Sequence, residues 1–242
     1  IYEQGKMAIV QGVGTEHASR SHFRAMDIWH TCEPEIVATE GWLAKVIREL
    51  DPESENPVTA VNFGRGLPRA LAAPGVTATS VGDLDNYGLM SGIQVQEERN
   101  RDLEIFQRMY TPAIGSGQVM NYLSQTGHNV LSGADMLAEA PRQYKSKVYD
   151  HHAQEVPTHA RLLQEMTTAI EDFMQDLRDH DAAEEVNILV FTEFGRRIKD
   201  NGSGTDHGTG GGAFMIGENV KGGLYSEYPS LAVADWKFGE DM

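Results

Sequence analysis

Residues 158–192 read THARLLQEMTTAIEDFMQDLRDHDAAEEVNILVFT, and this stretch decides the fold class. Between Thr158 and Leu177, apolar residues recur at helical spacing as one stripe: Leu162, Leu163, Met166, Ile170, Phe173, Met174 and Leu177. The pattern predicts an amphipathic helix that packs this stripe on a sheet. A compact turn then leads to Val186–Thr192, a near-continuous apolar run that is typical of a parallel strand covered on both faces.

Similar elements extend in both directions from this helix and strand. Short apolar or β-branched runs predict strands at Met7–Gly14, Val58–Phe63, Val76–Val81 and Ala213–Ile216. Helical patterns predict helices at Gly41–Leu50, where Trp42, Val46 and Leu50 are the apolar residues, at Gln96–Tyr110 and at Ala134–Lys145. Strands that alternate with amphipathic helices indicate an α/β fold, with a mainly parallel sheet sandwiched between helices. Ligands bind at the carboxyl ends of such strands, so the polar residues there are the functional candidates.

The bulk composition limits the classes of function. The chain has 242 residues, enough for one large domain over 1–242 with a buried core. Its formal net charge of −16 argues against a nucleic-acid partner, because phosphate backbones are bound by clustered Lys and Arg. A solvated surface explains the acidic balance, and so does a site that collects metal cations. No apolar run approaches the roughly 20 residues that cross a bilayer, so the sequence predicts no membrane span.

Cysteine usage and the start of the chain leave localisation open. Cys32 is the only cysteine, so no internal disulfide forms. This suits a cytosolic protein and equally an exported one that folds before translocation. No basic and apolar leader precedes the fold at Ile1, from which we expect a targeting signal to be absent or already removed.

A polar cluster follows the first predicted strand at Ser19–Arg24. It supplies two hydroxyls, an imidazole and two guanidinium groups, on Ser19, Ser21, His22, Arg20 and Arg24. A hydroxyl can act as a nucleophile once a metal or base lowers its pKa, and Arg makes bidentate contacts with phosphate or sulfate. A solvated polar loop has the same composition, so spacing alone leaves both interpretations open.

A second cluster, Asp150-His151-His152, lies just before the long helix. A carboxylate beside two imidazoles suits Zn, Mn or Fe, because it combines oxygen with nitrogen ligands. Paired histidines also occur at helix starts without any chemical role. Spacing therefore does not decide between a metal site and a plain helix start.

A third cluster follows the strand that ends near Thr192. Glu193 comes directly after this buried strand, where a carboxylate is costly without a cation or another partner. Asp206 and His207 form an acid–imidazole pair on a glycine-rich loop, and Arg196 lies between the two groups. A surface turn explains the glycines. It does not explain the nearby carboxylates and imidazole, so the functional interpretation is favoured here.

Motifs in both halves of the chain resemble one uncharacterised bacterial family, a domain of unknown function whose members usually carry a twin-arginine export signal. The motifs are Gln11–Gly14, Ser19–Phe23, Asp27–Trp29, Thr192–Arg196, Asn201–Gly202, Asp206–Gly208 and Gly222–Tyr225. The family is grouped with the alkaline-phosphatase and sulfatase superfamily. The resemblance covers most of the chain and implies an alkaline-phosphatase-like three-layer sandwich. It also implies a periplasmic or other extracytoplasmic location.

The resemblance further implies a metal centre and names its residues. Superfamily members hold two divalent metals with Asp and His ligands and attack phosphorus or sulfur with a metal-activated hydroxyl. Carried over to this chain, the metal ligands are Asp150, His152, Glu193, Asp206 and His207. The catalytic residues are Ser21, the nearest match to a nucleophile, Ser19 and His22, and the substrate-binding residues are Arg20, Arg24 and Arg196. The implied metal is Zn or Mn, and the implied substrate is a small anionic ester.

Two departures from the family pattern bear on this site. Family members begin with a strand and a glycine motif whose Asp binds metal, and nothing before Ile1 supplies them. The resemblance therefore implies a domain that is incomplete at both ends and lacks the N-terminal strand. A helix and a strand usually precede the Asp150 motif, where only Tyr144–Tyr149 stand. We therefore expect a discontinuity in the chain between Tyr144 and Asp150.

Together, the residues and the resemblance predict a metal-dependent hydrolase of phosphate or sulfate esters. The main alternative is a binding or assembly subunit that keeps the fold but has an incomplete site. A phosphomutase or another transferase is the third possibility. For a metal site, we expect Asp150, His152, Glu193 and His207 to converge within about 10 Å at one sheet edge. The substrate, the metal and the oligomeric state stay open.

Overall fold

The helices and strands of the protein confirm the α/β class. The structure is a computed structural model, and it describes residues 1–16, 18–64, 66–82, 93, 95–109 and 155–235. In chain order the elements are β1 (Met7–Val13), α1 (His22–Thr31), α2 (Trp42–Leu50), β2 (Val61–Phe63), β3 (Thr79–Val81), α3 (Gln96–Met109), α4 (Glu155–Asp179), β4 (Ile188–Val190), β5 (Arg196–Asp200), β6 (Thr205–His207), β7 (Gly211–Ile216) and β8 (Gly223–Tyr225). Within these ranges no helix is both long and apolar enough to cross a membrane.

The chain forms two compact units. One is built from Ile1–Met26 together with Val148–Met242, and the other from Asp27–Lys147. That residues 1–242 form one domain stays a prediction. The predicted helix at Ala134–Lys145 and the expected discontinuity between Tyr144 and Asp150 lie outside the described residues.

The first unit contains a four-stranded sheet in the order β4-β7-β1-β8. Strand β7 pairs antiparallel with both β1 and β4, whereas β8 pairs parallel with β1. The prediction of a mainly parallel sheet is therefore wrong for these strands. It relied on the apolar run that contains β4, but such a run reports burial and not strand direction. The run is also not covered on both faces, since Leu189 in the middle of β4 is 42% exposed.

Strand β1 contains a bulge near its end. The register between β1 and β7 shifts between Val10 and Val13, and Gly12 inside this segment has a φ of 64°. Glycine adopts such a left-handed conformation without the cost that a Cβ imposes. Just beyond the strand, a Cβ on Gly14 would lie 2.9 Å from the Thr209 carbonyl oxygen. The glycines thus let two backbones pass close together where β1 ends.

Helix α4 confirms the predicted long helix but buries a narrower set of residues than the predicted stripe. Leu162 is 6% exposed and Met174 is fully buried, whereas Phe173 is 38% exposed. On an ideal helix Leu162 and Met174 lie about 120° apart around the axis. The buried residues therefore do not lie along one straight face of the helix. Phe173 is thus less buried than its place in the stripe predicts, and that the stripe packs on the sheet stays a prediction.

The second unit contains β2 and β3, which pair in parallel, and helix α2. The strands confirm the positions of two predicted strands in shorter form. In α2 the buried residues are Ala44 and Ile47, while Trp42, Val46 and Leu50 are exposed. The predicted apolar stripe is therefore not the buried face of this helix. At its start, a Cβ on Gly41 would come within 2.1 Å of the Arg69 carbonyl oxygen.

Candidate active site

The polar cluster after β1 lies at the start of helix α1. His22 is the first residue of this helix, and the Ser21 carbonyl accepts a hydrogen bond of 2.9 Å from the Ala25 backbone N–H. The Ser21 N–H donates to Ser19 Oγ at 3.2 Å, which folds the loop back on itself. Ser21 itself is exposed. This loop is therefore anchored by the helix, and its second hydroxyl is open to solvent.

Glu193 contacts His22, which is far away in sequence. His22 Nδ1 lies 2.5 Å from Glu193 Oε1, and the Thr192 hydroxyl donates to Glu193 Oε2 at 2.9 Å. The Glu193 side chain is only 18% exposed. A carboxylate this far removed from water requires partners, as its position after a strand predicts. One partner is an imidazole, and both carboxylate oxygens are engaged.

The surroundings of Glu193 keep it ionised at neutral pH. Burial, which has the largest effect, raises the pKa of this carboxyl. Hydrogen bonds from His22, from its own backbone and from Thr192, together with the charge of His22, outweigh burial and hold the pKa below its ordinary value. Hydrogen bonds to the charged form of an acid favour that form.

His207, in strand β6, completes a group of three rings. Its Nδ1 donates to the Arg20 carbonyl oxygen at 3.0 Å. Its ring centroid lies 4.4 Å from that of His22, nearly perpendicular to it at 76°. The ring of Phe194 packs against both, with centroids 4.2 Å from His207 and 5.0 Å from His22. Because Nδ1 donates, a neutral His207 carries its lone pair on Nε2.

Close backbone contacts bring the segments of Glu193 and His207 together. Strands β5 and β6 pair so that Arg196 lies opposite His207. Next to this pair, the Gly208 N–H donates to the Gly195 carbonyl oxygen at 2.8 Å. A Cβ on Gly195 would lie 1.6 Å from the Gly210 carbonyl oxygen. The glycine-rich run therefore has a structural purpose, because only glycine permits this approach.

The same glycine-rich segment falls inside a family match. Residues 92–237 match the family model described as a protein of unknown function, DUF1501. The chain belongs to this family. The match covers more than half of the chain and contains Glu193 and His207. No curated protein and no solved structure matches the sequence.

Other predicted site residues of this DUF1501 protein make contacts outside the group of three rings formed by His22, His207 and Phe194. Asp206 accepts a hydrogen bond of 2.9 Å from the Asn201 amide, within the β5–β6 turn. Successive residues of a strand point to opposite faces, so Asp206 and His207 diverge although they are adjacent in sequence. Arg196 Nη1 donates to the Thr205 carbonyl oxygen at 3.2 Å. Arg20 contributes its backbone carbonyl to the group.

Other predicted residues of the DUF1501 chain lie beside the group or beyond the described ranges. Arg24 is half-buried in the first turn of α1. Asp150 and His152 lie outside the described residues, so the expected convergence of four metal ligands stays a prediction. Sequence reasoning missed Thr192 and Phe194, which flank Glu193. Both belong to the Thr192–Arg196 motif, but neither residue type is a metal ligand or a nucleophile of the expected kind, so no role was assigned to them.

The donor types at the site suit a divalent cation. Glu193 provides an ionised carboxylate, and His207 donates from Nδ1 to a backbone carbonyl, which is the usual arrangement of a histidine that binds metal through its other nitrogen. Within the part of the chain that the structure describes, no three His, Cys, Asp or Glu side chains form a group that could hold a metal ion.

Proposed function

We propose that this DUF1501 protein is a metal-dependent hydrolase of phosphate or sulfate esters, on the scaffold of the alkaline-phosphatase and sulfatase superfamily. One observation carries the proposal: the ionised Glu193 and the imidazoles of His22 and His207 converge from three separate segments. Partly buried charge of this kind is expensive and clusters at functional sites. The resemblance of the sequence motifs to an exported family also supports an extracytoplasmic location. Fractionation of cells that express the full gene would test this location.

Glu193 and His207 would hold the metal, together with Asp150 and His152. A divalent metal such as Zn or Mn would act as a Lewis acid and lower the pKa of an attacking hydroxyl. Ser21 is the favoured nucleophile, because its hydroxyl is exposed directly before the first residue of α1. The positive end of the helix dipole there favours an anionic substrate.

Cationic side chains around the same loop fit an anionic ester. Arg20 and Arg24 flank Ser21 in sequence, and Arg196 lies opposite His207 in the β5–β6 pair. Guanidinium groups suit the paired oxygens of phosphate and sulfate. In a chain with a formal net charge of −16, these three arginines are the cations that the proposal assigns to the substrate.

Elemental analysis and turnover of model esters test the proposal. Purified full-length protein should contain bound Zn or Mn and should hydrolyse p-nitrophenyl phosphate or p-nitrophenyl sulfate. Glu193→Gln and His207→Gln should each weaken metal binding by more than about tenfold, because a changed ligand shell costs at least this much. Glu171→Gln and His180→Gln change the same residue types at exposed positions in or just after α4 and serve as matched controls.

The opposite results are equally informative. Wild-type protein that binds no metal and turns over neither ester refutes the hydrolase and favours the binding or assembly subunit. If the Glu171→Gln and His180→Gln controls lose as much metal as the site variants, the assignment of Glu193 and His207 is wrong.

A further inference from the structure

Phe194 is the side chain that both histidines of the site contact. It is 7% exposed, and its ring centroid lies 5.0 Å from that of His22 and 4.2 Å from that of His207. The two imidazole centroids are 4.4 Å apart, so the three rings form a closed triangle. The two imidazoles meet edge-on, and the Phe194 ring is tilted against them by 43° for His22 and 33° for His207.

The backbone on both sides holds Phe194 in place. Glu193, the preceding residue, is bonded to His22 through its carboxylate. Gly195, the following residue, accepts the Gly208 hydrogen bond and leaves no space even for a Cβ. Phe194 therefore cannot shift without disturbing two other contacts. A ring on a fixed backbone can set the orientation of the side chains that pack against it.

Hydrogen bonds and ring packing control different features of the two imidazoles. The bonds of His22 to Glu193 and of His207 to the Arg20 carbonyl each fix the position of one ring nitrogen, Nδ1. The plane of a ring, and hence the direction of its other nitrogen, also depends on what its faces contact. Phe194 provides such a contact for both rings.

We propose that Phe194 is a positioning residue of the candidate active site, which sets the orientation of the His22 and His207 imidazoles. Its effect on metal binding rests on the proposed function, whereas its effect on the rings does not. A residue that only fills the core would change stability and leave the two imidazoles as they are.

Two substitutions and one control separate these roles. Phe194→Met keeps a large apolar side chain and removes the ring, and Phe194→Leu is the second variant should the first fail to fold. Ile216→Val removes buried volume from β7, where Ile216 is 1% exposed, and controls for loss of core packing. The full-length proteins are compared by Zn²⁺ titration and by NMR of the imidazole nitrogens.

The expected result is selective. Both Phe194 variants should bind Zn²⁺ about 10–100-fold more weakly, the usual loss when a partner of a metal ligand is removed. The nitrogen signals of His22 and His207 should report a changed tautomer and hydrogen-bond pattern in these variants, which loss of the Phe194 ring current alone does not produce, and an unchanged pattern in Ile216→Val. Unchanged affinity together with an unchanged pattern overturns the proposal, and so does an equal response of the Ile216→Val control.

Failure of the proposed function gives a distinct result. If the wild-type protein binds no Zn²⁺ and hydrolyses no ester, the hydrolase is refuted and the NMR comparison alone judges Phe194. A tautomer and hydrogen-bond pattern that changes only in the Phe194 variants then supports the positioning role, and an unchanged pattern refutes it.

Discussion

Gly195→Ala should be strongly destabilising, because the added methyl group meets backbone. A Cβ at this position would lie 1.6 Å from the Gly210 carbonyl oxygen and 2.5 Å from the Gly210 carbonyl carbon. Real Cβ contacts do not fall below 3.0 Å, so the two segments must separate by about 1.4 Å. No side chain can rotate away to relieve this contact, because both atoms belong to the main chain.

The magnitude follows from the cost of overpacking. Extra methylene groups in a packed site cost about 1–3 kcal/mol, and a backbone contact that cannot relax belongs at the top of this range. A loss of about 3 kcal/mol lowers the melting temperature by about 6–12 °C for a chain of this size. The displacement also weakens the hydrogen bond from the Gly208 N–H to the Gly195 carbonyl.

Thermal and urea unfolding of matched variants would check this expectation. Gly212→Ala is the control, because its Cβ would meet only the Val10 carbonyl oxygen at an ordinary 3.7 Å. An alanine at this position should change the free energy of unfolding by no more than about 0.5 kcal/mol. If Gly195→Ala and Gly212→Ala unfold alike, the close approach at Gly195 does not exist and the reasoning is refuted.

Burial and pKa values lead to three more expectations, each measurable by urea unfolding. Met174→Ala should lower the free energy of unfolding by about 2–5 kcal/mol, because this side chain is fully buried. Phe173→Ala should lower it by less than half as much, because Phe173 is partly exposed. Equal losses would contradict the described burial. The pKa of Glu193 in the folded protein lies below its ordinary 4.5. The stability that this group provides is therefore present above pH 4.5 and is lost as the pH falls through its pKa in the folded protein. Glu193→Gln should lack this pH dependence. Burial lowers the pKa of His30 below 6.5, so the unfolded chain binds a proton at this residue more readily than the folded protein does. The free energy of unfolding of the wild type should therefore fall as the pH drops below 6.5. His30→Gln should not show this fall.

Local patterns in the sequence were sufficient to locate many of the elements. The helical period of residues 158–177 predicted α4, which extends from Glu155 to Asp179. The start of β7 at Gly211 was missed, because a glycine run has no side chains to produce a strand pattern. Its backbone enters the sheet through hydrogen bonds to β1, which are long-range contacts. Element type is thus a local property, whereas element boundaries depend on pairing.

The candidate site divides in the same way. Glu193 and His207 could be selected from sequence, because a carboxylate after a buried run and an imidazole in a glycine-rich loop are unusual there. The bond from Glu193 to His22 joins residues 171 positions apart, and no local pattern encodes it. Asp206 and His207 are adjacent in β6, where successive residues of a strand point to opposite faces, and that both bind a metal stays a prediction. From the sequence alone one could read which residue types are available and the positions of three helices and five strands, but not those of α1, β5, β6 or β8. Only the tertiary structure decided strand direction, the buried face of each helix and the partners of each charged group, because all three are set by contacts between distant segments.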